Sequence, residues 1–156
     1  GHTYGADGIW QVNTEEAPFG PSPHGRSWGG PPWNEAAQLP GSRHLGLAKK
    51  FLERFEWWRL EPNPEWVDPH WTKEDYQLPY AAGLPGKLRI VFLPPMWEPP
   101  TIKSLESGVS YRAYFFDPRT GKEHAIGDVA ARLDGSWKSP ITPTFEQWIL
   151  VLEKKT

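Results

Sequence analysis

Only one stretch of this sequence repeats with the period of a helix. In GSRHLGLAKKFLERFEWW, residues 41–58, Leu45, Ala48, Leu52 and Phe55 recur at spacings of three and four and share one face. Lys49, Lys50, Glu53 and Arg54 mark the wet side, and Ser42 stands where an N-cap belongs. The spacing predicts a helix over residues 42–57. A lone amphipathic helix is marginal in water, so its apolar face has to be covered by another element.

From Tyr80 onward the period becomes two. KLRIVFL (87–93) sets Leu88, Ile90 and Phe92 against Lys87 and Arg89, and VSYRAYFF (109–116) is aromatic and β-rich. DPRTG (117–121) reads as a turn leading into KEHAIGDV (122–129). QWILVLEK (147–154) puts Trp148, Leu150 and Leu152 on one face and Ile149 and Val151 on the other, the pattern of a central strand covered on both sides. With weaker strands at 80–82 and 101–103, the count is about seven short strands with turn signals every ~8–12 residues, which predicts a small antiparallel β-sandwich. Residues 59–79 hold four prolines and no periodicity, and read as a connection lying over a surface.

The amino end is of another kind. TYGADGIWQV (3–12) starts like a short strand and breaks at Gly5 and Gly8, and residues 13–40 are mostly Pro, Gly, Ser and Trp. Loops longer than about 15 residues are uncommon in compact domains and are either disordered or binding elements. Phe19, Trp28 and Trp33 favour binding. The whole chain has 18 Pro and 15 Gly but also 10 Trp among 156 residues, and disordered chains are poor in such aromatics. Tryptophan-rich loops make flat apolar platforms for sugar rings, whose C–H faces stack on an indole. They also fill cores and loop bases.

Other chemistries are excluded or disfavoured. Seventeen basic against 19 acidic residues, a net charge of −2 and no basic block longer than Lys49-Lys50 or Lys154-Lys155 leave no footprint for nucleic acid. The longest apolar runs, such as 148–152, are far too short to cross a bilayer, and a membrane is not an expected partner. Zero cysteines exclude disulfides, thiolate zinc sites and cysteine nucleophiles. Five histidines, at 2, 24, 44, 70 and 124, lack ligand spacing, so no metal or cofactor is expected. Ser27 and Ser42 lack a nucleophile-elbow context. Glycoside hydrolysis needs two rigidly spaced carboxyl groups, and Asp7, Glu15, Glu16 and Glu35 sit in one long loop without a scaffold of their own.

The ordered set GHTYGADGIWQ (1–11), SWGGPPWNEAAQLPG (27–41), WWRLEP (57–62), GKLRIVFLP (86–94) and YRAYFFDPRTGK (111–122) resembles the carboxyl-terminal part of the apiosidase-like glycoside hydrolases. In that family a (β/α)8 barrel is followed by a β-sandwich described as collagen-binding. The resemblance implies that residues 1–58 are the last strand, active-site loop and helix of such a barrel, and residues 59–156 an antiparallel β-sandwich. Residues 3–5 would end the strand, and residues 6–40 would form the loop on the face where barrel enzymes build their active sites. The family's general acid and nucleophile would fall upstream of Gly1, leaving no catalytic residue in this chain. The expected partners are then a chain or upstream segment carrying the rest of the barrel, and a carbohydrate substrate.

On the same resemblance the substrate-binding residues are His2, Tyr4, Trp10, Gln11 and Trp33. Trp10 would be an aromatic wall of a sugar subsite. His2, Tyr4 and Gln11 would hydrogen-bond hydroxyls or the nucleophilic carboxylate, with Trp33 and Glu35 on the returning segment. Tyr4 and Trp10 serve equally well to close the top of a barrel, and Glu35, three residues after Pro32, suits the positive end of a helical turn. A second reading is a non-catalytic carbohydrate-binding or protein-binding sandwich, with Trp97, Trp137 and Tyr114 as stacking groups or as core.

Overall fold

The structure, a computed structural model, describes residues 4–9, 12–18 and 30–155. The chain divides into two compact units with the boundary between Phe51 and Leu52.

In the first unit, residues 4–9 form no strand: residues 4–6 are irregular and 7–9 form a turn. A short helix, α1 (Trp33–Ala36), and a longer one, α2 (Pro40–Leu52), follow. The helix expected over 42–57 therefore starts earlier and ends earlier. Proline's fixed φ is suited to a first helical turn, so Pro40 rather than Ser42 opens it. Beyond Leu52 the chain leaves the α-helix for turns and a 3₁₀ segment, Trp57–Arg59. Of the predicted stripe, Leu45, Leu52 and Phe55 are half-buried and Ala48 is exposed. The buried residue of α2 is Phe51, which with Leu47 four residues earlier widens the apolar arc.

The second unit is built on two antiparallel sheets. Its strands are β1 (Glu61–Pro62), β2 (Val67–Asp68), β3 (Tyr80–Leu84), β4 (Leu88–Leu93), β5 (Thr101–Ile102), β6 (Ser110–Phe116), β7 (Glu123–Ala130), β8 (Trp137–Lys138) and β9 (Trp148–Lys154). Six of them form a sheet in the order β1-β3-β4-β9-β6-β7, and three form a small sheet, β2-β5-β8. Residues 59–79 are thus more than a connection, since they supply an edge strand to each sheet. A single core draws Val67 and Ile102 from the small sheet, and Ala81, Val91, Leu93, Tyr111, Ala113, Phe115, Trp148, Leu150 and Leu152 from the large one. This is the arrangement of a β-sandwich.

β9 is central, as its pattern predicted. Paired with β4 on one side and β6 on the other, it buries Trp148, Leu150 and Leu152 on one face and Val151 on the opposite one. Burying each such large side chain is worth roughly 1.5–3 kcal/mol.

β4 reverses the expected facing. Val91 pairs with Leu150 and Leu93 with Trp148, so Arg89, Val91 and Leu93 point into the core, while Leu88, Ile90 and Phe92 line the other face. An arginine is an unlikely core residue unless it is paired and hydrogen-bonded. Here Arg89, 1% exposed, ion-pairs with Glu106 at 2.9 Å and donates to the Ser104 carbonyl at 2.5 Å. Its guanidinium also lies 3.5 Å from the Trp66 ring centroid. Gly83, paired with Arg89, makes room: a Cβ there would sit 2.1 Å from the Leu88 carbonyl oxygen and 3.0 Å from the Trp66 ring. Tyr111 completes the group by donating its phenol hydrogen to Glu106. Burial raises the Glu106 pKa, but the Tyr111 hydrogen bond and the Arg89 charge outweigh it and hold the carboxyl below its ordinary range.

Candidate functional site

The loop after Tyr4 is folded by its glycines and one asparagine. Residues 6–9 turn back on themselves, with the Ile9 N–H donating to the Ala6 carbonyl at 3.1 Å. Gly8 has φ +95°, and a Cβ there would meet the Pro31 carbonyl oxygen at 2.1 Å, so only glycine lets the two limbs of the loop come this close. Asn13, 5% exposed, pins them: its side-chain amide donates to the Gly30 carbonyl at 2.9 Å, and its own carbonyl accepts from the Trp33 N–H at 2.8 Å. The Tyr4 hydroxyl donates to the Ala36 carbonyl at 3.2 Å, and its ring lies against Gly41.

Of the five substrate-binding residues expected from the sequence, Tyr4 and Trp33 belong to this framework, and His2, Trp10 and Gln11 lie outside the described residues. So do Phe19, Trp28, His24 and Ser27. Trp33 opens α1 and is half exposed at 49%, an available indole beside the Asn13 clasp. Glu35 sits in the first turn of α1, where a carboxylate favours the helix dipole. Asp7, Glu15, Glu16 and Glu35 are all exposed. Among the described residues no three or more His, Asp or Glu side chains group as a metal site. Asn13 gave no signal in the sequence, since a single asparagine after a valine is unremarkable until Pro31 is brought beside Gly8.

The sandwich sorts its aromatics differently. Tyr114, one of the stacking candidates, is fully buried. Its hydroxyl donates to Glu153 at 3.2 Å and accepts from Arg54 at 3.1 Å, and burial together with the Glu153 charge pushes its pKa up. Glu123 joins the group through ion pairs with Arg54 and Arg112, each at 2.6 Å. Burial raises the Glu123 pKa, but the two arginines outweigh it and hold it below its ordinary range. Trp137 packs partly buried against the core. Trp97 is 83% exposed and stacks on Phe145 at 4.4 Å. Tyr76 and Tyr80, for which the sequence implied no binding role, are also exposed.

Residues 1–59 match the family model described as "Apiosidase-like, catalytic domain". This amino-terminal segment is similar to that family. Two solved structures share the fold of the chain. One, named a glycoside hydrolase, aligns with a TM-score of 0.76 at 19% identity over 98% of this chain and 33% of its own. The other, a glycoside hydrolase family 5 protein from Bacteroides vulgatus, aligns with a TM-score of 0.73 at 18% identity over 98% of this chain and 32% of its own. The chain thus spans about a third of the length of the solved structures it matches. No curated protein matches it.

Proposed function

We propose that this chain is the carboxyl-terminal portion or subunit of a glycoside hydrolase. It contributes an aromatic wall of the sugar-binding cleft and an accessory β-sandwich, while the catalytic carboxylates are carried by the rest of the barrel. Residues 1–58 are then the barrel's last strand, loop and helix, and the half-buried Leu45, Leu52 and Phe55 are where that helix meets its scaffold. The observation that carries this reading is the position of the family match: a catalytic-domain model covers residues 1–59 and stops where the strands of the sandwich begin at Glu61. The geometry of the loop agrees with it. Gly8, Asn13 and Tyr4 tie its described limbs together through close approach and hydrogen bonds to backbone carbonyls.

In this arrangement Trp10 and Trp33 stack on sugar rings, and His2 and Gln11 bond hydroxyls or orient the nucleophile. Tyr4, whose hydroxyl is engaged by Ala36, supports the loop from below. The test is reconstitution: this chain is expressed joined to, or together with, the segment carrying the remaining barrel strands, and release of sugar from aryl glycosides is followed. Trp10→Ala should lower turnover about a hundredfold or more with little change in thermal stability, because misplacing a bound substrate is costly to rate. Unchanged kinetics would remove Trp10 from the cleft, and sugar release by the 156-residue chain alone would overturn the division of labour.

A further inference from the structure

The sandwich carries an open groove of about 450 Å³ at one end of the large sheet, on the face turned away from the core. It lies within the roughly 300–1,000 Å³ typical of ligand sites. Tyr76, Gln77, Tyr80, Phe92, Pro94 and Gln147 line it, and no lining residue is charged. Tyr80 and Phe92 are cross-strand partners in β3 and β4, so the floor of the groove is a rigid part of the sheet. The Tyr80 ring is held on one side by Trp71, stacked at 5.6 Å, and its hydroxyl donates to the Tyr76 carbonyl at 2.7 Å. Tyr76 itself is 69% exposed, as a wall whose ring is presented to solvent while its main chain is fixed.

This combination selects a ligand chemistry. Exposed aromatic rings over an uncharged surface suit the C–H face of a sugar, and the exposed amides of Gln77 and Gln147 each offer a donor and an acceptor, as vicinal hydroxyls require. An ionic ligand would find no counter-charge in the lining. We propose that this groove is a carbohydrate subsite of the sandwich, separate from the barrel cleft, which takes an uncharged saccharide stacked on Tyr76 and oriented by Gln77 and Gln147. The choice of a saccharide over other uncharged ligands rests on the glycoside hydrolase reading, but binding at the groove requires no hydrolysis.

The experiment is affinity electrophoresis of the whole 156-residue chain in gels containing xyloglucan, galactomannan, arabinoxylan or dextran, with polygalacturonate as the charged comparison. At least one neutral polysaccharide should retard the chain. Tyr76→Ala, which keeps the carbonyl that Tyr80 uses, should weaken retardation about tenfold or more at unchanged melting temperature, and Gln147→Ala should weaken it less. Trp97→Ala should leave it intact. Absence of retardation in every neutral gel, loss through Trp97→Ala and not Tyr76→Ala, or binding of a polyproline peptide in place of the polysaccharides would each overturn the proposal. Because the readout is binding by this chain alone, a failure of the reconstituted hydrolase leaves the result for the groove standing, and the reverse holds too.

Discussion

Replacing Glu106 with alanine would strand a cation in the core of the sandwich. Arg89 is 1% exposed and the carboxylate oxygen is 2.9 Å from its Nη2. At an effective dielectric constant near 20, that separation corresponds to about 6 kcal/mol of attraction. Glu106 has a side chain 31% exposed, so water can take over part of its work, and roughly half of that figure is the loss to expect. The result, about 3 kcal/mol, meets the lower end of what breaking a buried pair usually costs. For a domain of this size it lowers the melting temperature by about 10–15 °C. Urea unfolding followed by circular dichroism measures it, with the exposed Glu98→Ala as control. Glu106→Gln, which keeps one of the two acceptor oxygens but not the charge, should fall between the two. In an Arg89→Met background the Glu106→Ala loss should shrink by at least about 1 kcal/mol, because the stranded charge is gone. A loss like that of the Glu98 control, or an equal loss in both backgrounds, would refute the claim that Glu106 is there to neutralise Arg89.

Three further outcomes follow from the same geometry. Gly83→Ala forces a methyl group to within 2.1 Å of the Leu88 carbonyl, and should destabilise the sandwich by about 2–3 kcal/mol or more, read as a lower urea midpoint; a midpoint within experimental error of wild type contradicts the close approach. Gly8→Ala meets both a φ of +95° and the Pro31 carbonyl, so trypsin or chymotrypsin should cut the first 50 residues faster while the sandwich survives, and an unchanged digestion pattern would count against the Asn13 clasp. Glu106 and Glu123 both have folded pKa values held below the ordinary 4.5, so the stability they add is complete above pH 4.5 and is lost as the pH falls through the folded values. Urea midpoints measured from pH 6 down to pH 3 should therefore fall more steeply in the wild type than in a Glu106→Gln/Glu123→Gln variant, and parallel curves would show that these carboxyls do not titrate in the folded state as described.

Local spacing was enough to locate the longer strands and the helix, but not the two-residue strands β1, β2 and β8. QWILVLEK announced a strand covered on both faces, because a short apolar run rich in β-branched and aromatic residues suits a central strand, and β9 lies in the middle of the large sheet. The stripe from Leu45 to Phe55 announced a helix, though not its ends, which lie at Pro40 and Leu52. Motif order along nearly the whole chain pointed to a resemblance to apiosidase-like glycoside hydrolases, and a family model of that description matches residues 1–59. What the chain could not state locally is which phase of an alternating strand faces inward. In KLRIVFL the alternation favoured Leu88, Ile90 and Phe92, yet the fold chose Arg89, Val91 and Leu93. That choice depends on Glu106, Ser104, Tyr111 and Trp66, residues distant in sequence that together make a buried guanidinium tolerable. The same holds for Asn13, Gly83 and the groove beneath Tyr76: periodicity is a property of neighbours along the chain, whereas neutralised charge, close approach and concavity exist only between segments that folding has brought together.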